Sequence, residues 1–459
     1  MIAKLNTTNL LVLFLIAHLI IWTVVPALTN ENLPLDTIEA LAWASDINWG
    51  YDKHPPLSAL FVWFTYSIFG ANDWAYYLLS QIFIVFSFYL LWKFSKNFLQ
   101  NKILILISVL ILESIVFFNY TSPEFNVYVC QIPLKVLVVY YFWKSVNGND
   151  LINWILVSIF CALGMLSHYS FFFLILSLFL YFVFFSKKKK NEIKFFYFAF
   201  LLFLIILSPH LYWLYENDFI TLRYAFSRGG LESKDVFSHI VNPIIFLLKQ
   251  IGILSLFFLS LLSMISFKNK KIKFGFENKK DKFLLFITIL PIFMVLITSI
   301  FTGAKIRTMW MSTFYVFFGL FMIYFFRNKI NLMNINKLLY LLGFIFILSP
   351  STYGYVSLTN DFKRTDYPGK EIARLVQNKW DQNFTNEIKF VVGDEWSAGN
   401  LSYHLSSRPV WKSQFKNNVI DLKDNEGVIY TGNPKILKQI CPGFFGTIKP
   451  VGYCMIGTR

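Results

Sequence analysis

Apolar runs of about 17 to 25 residues recur along the first 360 positions of the chain, separated by short polar stretches. Each run is long enough to cross a hydrocarbon core about 30 Å thick. A chain of 459 residues would otherwise suggest two or three soluble domains. Composition excludes that: 56% of residues are hydrophobic, 53 are phenylalanine, and 15% are charged, against about 25% in soluble proteins. The mean hydropathy is +0.53. The expected fold class is therefore an all-α polytopic membrane bundle. Lys4 ahead of the first run, with no small-x-small cleavage site after it, reads as a retained anchor.

The formal net charge is +16, from 42 Lys+Arg against 26 Asp+Glu. In a soluble protein this excess would point to nucleic acid. In a membrane protein it first tests orientation, because cytoplasmic loops collect Lys and Arg. Eleven spans are expected, at 9–28, 74–94, 103–118, 124–143, 151–168, 169–185, 195–212, 238–266, 283–301, 309–326 and 338–358. With the N-terminus inside, Lys93, Lys96 and Lys102, then Lys144, fall in cytoplasmic loops. So do Lys187 to Lys190 with Lys194, the cluster Lys268, Lys270, Lys271, Lys273, Lys279, Lys280 and Lys282, and Arg327, Lys329 and Lys337. Together with Lys4 these are 20 basic residues against four acids, Asp150, Glu192, Glu277 and Asp281, which accounts for the whole +16. The excess is an orientation signal and implies no nucleic-acid partner.

Pro56 to Phe69 stays outside the count. Fourteen helical residues reach about 21 Å, too short to span, and counting them would invert every later loop. The segment reads as a helix at the outer face that starts at a proline and stops at Gly70. The domain division expected is 1–360 for the membrane domain, with an outer loop at 29–73, and 361–459 for a small extracytoplasmic α/β domain. In that domain a helix is expected near 368–380, a strand at Ile388 to Val392, a helix near 396–406 and a strand at Gly427 to Tyr430. Cys441 and Cys454 lie 13 apart in an oxidising compartment, where a disulfide and free thiols are both open readings. Cys130 and Cys161 read as packing residues inside spans.

Once sides are assigned, the polar chemistry falls on the outer face. In the acidic loop 29–73, a helical stretch from Leu35 to Trp43 sets Asp36, Glu39 and Trp43 on one face. Two neighbouring carboxylates can shift one pKa upward for acid–base work, or simply form a solvated face. In Gly50 to Leu57, Lys53 and His54 before Pro55 stand where a lipid phosphate would lie, or form an ordinary turn. Glu124 and Asn126 open the fourth span, His168 sits in a tight turn, and His210 ends the seventh span. Arg223, Arg228 and Arg307, with Trp310, complete the set, since arginine suits bidentate phosphate contacts. Glu113, Lys135, Lys249 and His18 lie in or near spans and should face the bundle, with Glu113 and Lys135 a candidate pair. No metal cluster, phosphate loop or nucleophile elbow appears in the sequence.

At these residues the chain resembles bacterial membrane glycosyltransferases of the GT-C class, related to the protein O-mannosyltransferases and the lipid A aminoarabinose transferase. The motifs are Asp36 to Trp43 and Gly50 to Leu57, followed by Glu124 to Asn126, Gly164 to Tyr169 and Pro209 to Trp213. Further on come Gly303 to Arg307 with Trp310, and Gly393 to Asn400. The resemblance implies inverting transfer of a sugar from a polyprenyl-phosphate donor to an acceptor on the outer face of the cytoplasmic membrane. The acceptor could be lipid A, another glycan or a protein. Asp36, Glu39 and Glu124 would be the catalytic acids, and Lys53, His54, Arg223 and Arg307 the donor-phosphate ligands. His168, His210, Arg228 and Trp310 would be further substrate contacts. Many relatives carry adjacent Asp-Glu where Asp36 and Glu39 are three apart, so the base is open between them; many have lysine at His168. The resemblance implies no fixed cofactor, though the carboxylates leave room for a divalent cation. A lipid-linked sugar flippase is the rival reading, but transporters place polar sites at midplane, often with repeats that this chain lacks.

Overall fold

The structure, a computed structural model, describes residues 6–148, 150–186, 190–229, 236–266, 278–413, 426–448 and 450–459. Lys4, Lys187 to Lys189, Lys268, Lys270, Lys271, Lys273 and Glu277 lie outside the described residues. Three elements open the chain: α1 (Thr7–Thr29), α2 (Leu35–Trp43) and α3 (Leu57–Phe69). The bundle continues through α4 (Asp73–Ser95), α5 (Lys102–Leu110), α6 (Val127–Gly148), α7 (Leu151–Ser167), α8 (Phe172–Phe185) and α9 (Lys190–Glu216). After a short α10 (Ile220–Arg228) come α11 (Ser238–Ile253), α12 (Ser255–Leu262), α13 (Lys279–Thr302), α14 (Phe318–Phe326) and α15 (Ile335–Thr359).

Each of the eleven expected segments is largely helical, but not all are single straight helices. Among the described residues five helices are long and apolar enough to cross a membrane: α1, α4, α9, α13 and Leu332–Thr359, which includes α15. Two bent pairs bring the number to seven: α11 with α12, bent by 47°, and the 3-10 segment Thr308–Tyr315 with α14, bent by 55°. The segment 103–118 departs most from expectation. It is nine residues of α-helix followed by 3-10 turns at Ile111–Ser114 and Val116–Phe118. Side chains compete with the helix there: Ser114 Oγ donates to the Ile111 carbonyl and Asn119 Nδ2 to the Glu113 carbonyl. The turn Ile111–Ser114 is buried in protein, the setting in which irregular backbone is tolerated at membrane depth.

The ionisable groups inside the bundle pair differently from the sequence expectation. Glu113 does not meet Lys135. Its carboxylate lies 3.0 Å from His18 Nδ1, with both side chains at most 1% exposed. Lys135 Nζ donates to Thr313 Oγ1 at 2.7 Å and stands 3.8 Å from the centre of the Phe314 ring. Helix break and lysine therefore each acquire their own partner, as burial demands. Lys249 is exposed on α11 and does not face the bundle, because Phe246 and Gln250 take the inner side. At one end of the bundle, basic residues lie over aromatic rings: Lys96 on Trp92, Lys144 on Tyr140, Lys282 on Phe185 and Arg327 on Tyr324. These are residues that the charge count groups into one set of loops, and aromatic rings beside cations are typical of a membrane boundary.

The short segment α3 follows Pro56 and ends at Gly70, whose φ of 60° closes the helix. Beyond α15 the C-terminal domain adds α16 (Gly369–Asp381), β1 (Ile388–Val392), α17 (Ser397–His404), β2 (Val410–Lys412), β3 (Gly427–Gly432), α18 (Pro434–Ile440), β4 (Phe444–Ile448) and β5 (Val451–Ile456). The sheet order is β2-β1-β3-β5-β4, parallel across the first three strands and antiparallel across the last three. Cys441 and Cys454 form a disulfide joining the end of α18 to β5, while Cys130 and Cys161 are buried free thiols. The domain rests on α2 and its flanking loop. Arg408 donates to the Leu41 carbonyl, Lys412 pairs with Asp46 at 2.6 Å, and the Trp411 amide donates to Ser45 Oγ. Asn32 Nδ2 donates to Asn400 Oδ1 at 2.8 Å.

Small residues decide how closely helices approach inside the bundle. A Cβ on Gly319 of α14 would collide with the Ser108 carbonyl of α5. Gly319→Ala should cost about 1–3 kcal/mol through overpacking. In thermal unfolding of detergent-purified protein its midpoint should fall, while Gly343→Ala, whose Cβ meets nothing within 4 Å, should leave the midpoint unchanged.

Candidate active site

Helix α2 exists because its first turn finds a partner. Pro34 at the N-cap supplies no side-chain acceptor. Glu124, from the loop before α6, fills that role: its Oε1 accepts from the Asp36 amide at 3.0 Å. Thr37 Oγ1 donates to the Phe125 carbonyl, and Asn126 Nδ2 reaches Asp36 Oδ2 at 3.4 Å. Asn126 meanwhile caps α6 by accepting from the Tyr128 and Val129 amides, each at 3.0 Å. Three consecutive residues, Glu124 to Asn126, thus orient α2 and the carboxylate of Asp36.

Burial, then the charge of Glu124, pushes the Asp36 carboxyl up to about 7. Glu124 is itself raised by burial, against the hydrogen bond from the Asp36 amide. Two acids short of positive charge compete to ionise, so the pair retains a proton to near neutrality. One turn further along α2, burial pushes Glu39 up to about 7 and outweighs the nearby Lys53 ammonium. Asp52 rises to about 6, again through burial.

Lys53 and His54 both join this cluster, in different states. Lys53 Nζ pairs with Glu39 Oε1 at 2.8 Å and with Glu395 Oε1 of the C-terminal domain at 2.9 Å. His54 packs among Trp43, His168 and Tyr224, at ring-centre distances of 5.8, 5.3 and 6.2 Å. Burial, then the neighbouring His168, holds His54 well below the usual histidine range. Burial takes His168 down to about 3. His168 Nδ1 accepts from the Ser170 amide at 3.1 Å, so its proton sits on Nε2. Both imidazoles are therefore neutral and offer hydrogen bonds, with the positive charge coming from elsewhere.

Arg228 and Arg307 are exposed and act electrostatically on Tyr128, whose ring lies 4.9 Å from His168. Arg223 is exposed on α10 and makes no side-chain hydrogen bond or ion pair with this group; nor does Trp310, among the described residues. His210 serves the frame. One ring nitrogen meets Tyr169 Oη at 2.8 Å and the other donates to the Trp49 carbonyl at 2.6 Å, tying α9 to the loop that carries Lys53.

Asp36 and Glu124 also line a cavity of about 400 Å³, bounded by Met309, Tyr353, Lys363 and Arg364. Sequence reasoning missed Arg364, which acts electrostatically on both acids, together with Tyr128, Tyr224 and Glu395. Glu395 had one available signal, its place inside the Gly393 to Asn400 motif; Tyr224 and Arg364 had none. No group of three or more His, Cys, Asp or Glu able to hold a metal ion occurs among the described residues.

The cap on α2 is testable. Glu124→Ala removes the acceptor for the Asp36 amide and should cost about 1 kcal/mol, the usual value of a helix cap. Glu124→Gln keeps a carbonyl there and should hold the thermal midpoint close to wild type.

Residues 53–213 match the family model described as dolichyl-phosphate-mannose-protein mannosyltransferase. The match takes in Lys53 to Leu57, Glu124 to Asn126, Gly164 to Tyr169 and Pro209 to Trp213, and begins beyond Asp36. No curated protein matches the chain. Among solved structures the chain is similar to ArnT from Cupriavidus metallidurans bound to undecaprenyl phosphate, with a TM-score of 0.65 at 11% identity over 98% of both chains. It is also similar to ArnT from the same organism in the apo state, with a TM-score of 0.61 at 11% identity over 97% of this chain and 98% of that one. From end to end the chain has an ArnT-like membrane fold, and its residues 53–213 carry the likeness to the mannosyltransferase family that the motifs lead one to expect.

Proposed function

We propose that the protein is a membrane glycosyltransferase that moves a sugar from a polyprenyl-phosphate donor to an acceptor on the outer face of the cytoplasmic membrane. The observation that carries this reading is the setting of Asp36. A carboxyl raised to about 7 by burial and by Glu124 stands at the head of a buried helix, between a cavity of about 400 Å³ and a cluster containing Lys53. The mannosyltransferase match over residues 53–213, and a fold shared with a protein solved with undecaprenyl phosphate, support the same class.

In this reading Asp36 takes the proton of an acceptor hydroxyl as its oxygen attacks the anomeric carbon. The new carbon–oxygen bond forms as the bond to the lipid phosphate breaks, and the electron pair leaves with the phosphate. Configuration at the anomeric carbon inverts. Lys53, Arg307 and Arg228 stabilise the leaving charge, and the neutral rings of His54 and His168 contribute hydrogen bonds. Glu124 acts through Asp36, by orienting it and by raising its pKa. An acceptor that is already a phosphate anion would need Asp36 for placement only. Arg223 and Trp310 have no step assigned here.

The sign of the pH dependence follows from a base that must be ionised. Its carboxyl titrates near 7, so transfer should rise with pH up to about 7 and level off above. Glu124→Gln removes a neighbouring negative charge and should move that limb to lower pH. Asp36→Asn should lower transfer by about 10²–10⁴-fold without changing membrane abundance. The substrates come from mass spectrometry of envelope glycolipids and glycoproteins in cells with and without the gene. Consumption of a polyprenyl-phospho-sugar by purified protein in detergent then gives the rate. Wild-type transfer by Asp36→Asn would overturn the assignment, and failure to consume any such donor would favour a flippase.

A further inference from the structure

The Lys53 ammonium is committed on two sides. Glu39 of α2 and Glu395 of the C-terminal domain each take one hydrogen bond from it, at 2.8 and 2.9 Å. The three side chains are 19%, 12% and 14% exposed, so solvent screens the triad only in part. Asp52 stands within electrostatic range of Lys53, Glu39 and Glu395. One cation among three carboxylates is a poor receptor for a phosphate anion. Charge must leave the cluster before a phosphate can enter.

The two partners of Lys53 are not equivalent. Glu39 is part of α2, whose position depends on the bundle through Glu124 and Phe125. Glu395 comes from the C-terminal domain and lies in the turn between β1 and α17. That turn is itself ordered, because Asp394 Oδ1 accepts from the amides of Trp396 at 2.9 Å and Ser397 at 2.7 Å. The Trp396 ring packs on Tyr367 at 5.3 Å. The carboxylate therefore reaches Lys53 from a held position, on a domain bonded to α2 by Arg408 and to the loops on either side of α2 by Asn400 and Lys412.

We propose that Glu395 is a positioning residue that occupies Lys53 in the empty site and competes with the donor phosphate for it, so that the C-terminal domain sets the affinity of the membrane domain for a polyprenyl phosphate. The proposal rests on the reading of Lys53 as a phosphate ligand. On entry the phosphate oxygen replaces Glu395 Oε1 on the ammonium, while Glu39 keeps the lysine aimed. Release of product restores the Lys53–Glu395 pair and expels the lipid phosphate. A strut between domains would behave in the opposite way, since cutting it could only loosen the site.

Titration of purified full-length protein in detergent with undecaprenyl phosphate separates the two. Glu395→Gln should bind about tenfold more tightly than wild type, and the gain should vanish in a Lys53→Met background, since coupled groups are non-additive. Glu395→Ala should show the same sign. Unchanged or weaker binding by both Glu395 variants, with wild type binding normally, would overturn the proposal and leave the functional reading intact. No binding by wild type would overturn both. Loss of folded protein in both variants would make Glu395 a strut and also overturn it.

Discussion

The hydrogen bond from the Asp36 amide to the Glu124 carboxylate, with two neighbouring bonds to Phe125 and Asn126, ties α2 to the loop before α6. The nine-residue helix α2 is far too short to be stable alone. It persists because Glu124 caps it, Phe125 accepts from Thr37, and Arg408 of the C-terminal domain bonds to its Leu41 carbonyl. Once α2 is held, Asp36 and Glu39 are held one turn apart. Lys53 is then drawn to Glu39, and His54 falls into the aromatic pocket formed by Trp43, His168 and Tyr224. The same bond that builds the helix places a second carboxylate beside Asp36, so architecture and pKa have a common cause.

The membrane constraint works elsewhere in the chain through buried polar pairs. A charged group in the bundle needs a partner, and Glu113 and Lys135 find theirs across the fold and not along the sequence. Glu113 meets His18 across 95 positions, and Lys135 meets Thr313 across 178. The interruption of α5 by 3-10 turns brings Glu113 into its pairing position, at the cost of a straight span. Such breaks are affordable because the turn residues are enclosed by protein.

Much of the fold was legible because hydrophobic periodicity and run length respond to local rules. The short helix between Pro56 and Gly70 follows from arithmetic on 14 residues, and the helices α16 and α17 with the strands β1 and β3 follow from pattern. The strands β2, β4 and β5 and the helix α18 are not among the expected elements, since their short or turn-rich sequence carries weak alternation. Within the site, Asp36, Glu39, Glu124, Lys53, His54 and His168 were nameable from motifs, and the structure gathers them. Arg223 and Trp310 were named on the same basis, and the structure leaves them without a side-chain hydrogen bond or ion pair in the group. Surface arginines share a face by topology alone, which is a coarser filter than contact.

Sequence alone determined the class of protein: a polytopic helical bundle with a small mixed domain, its basic excess confined to one set of loops and six of its 26 acids in the first long connection. Those properties depend on composition and on spacing along the chain. Tertiary structure alone decided which charges meet. That Lys53 is shared between Glu39 and Glu395, that His54 and His168 are neutral, and that Arg364 borders the cavity beside Asp36 all depend on burial and on distances between residues remote in sequence. Electrostatic energies fall with distance and rise with desolvation, and neither quantity is written in the order of the residues.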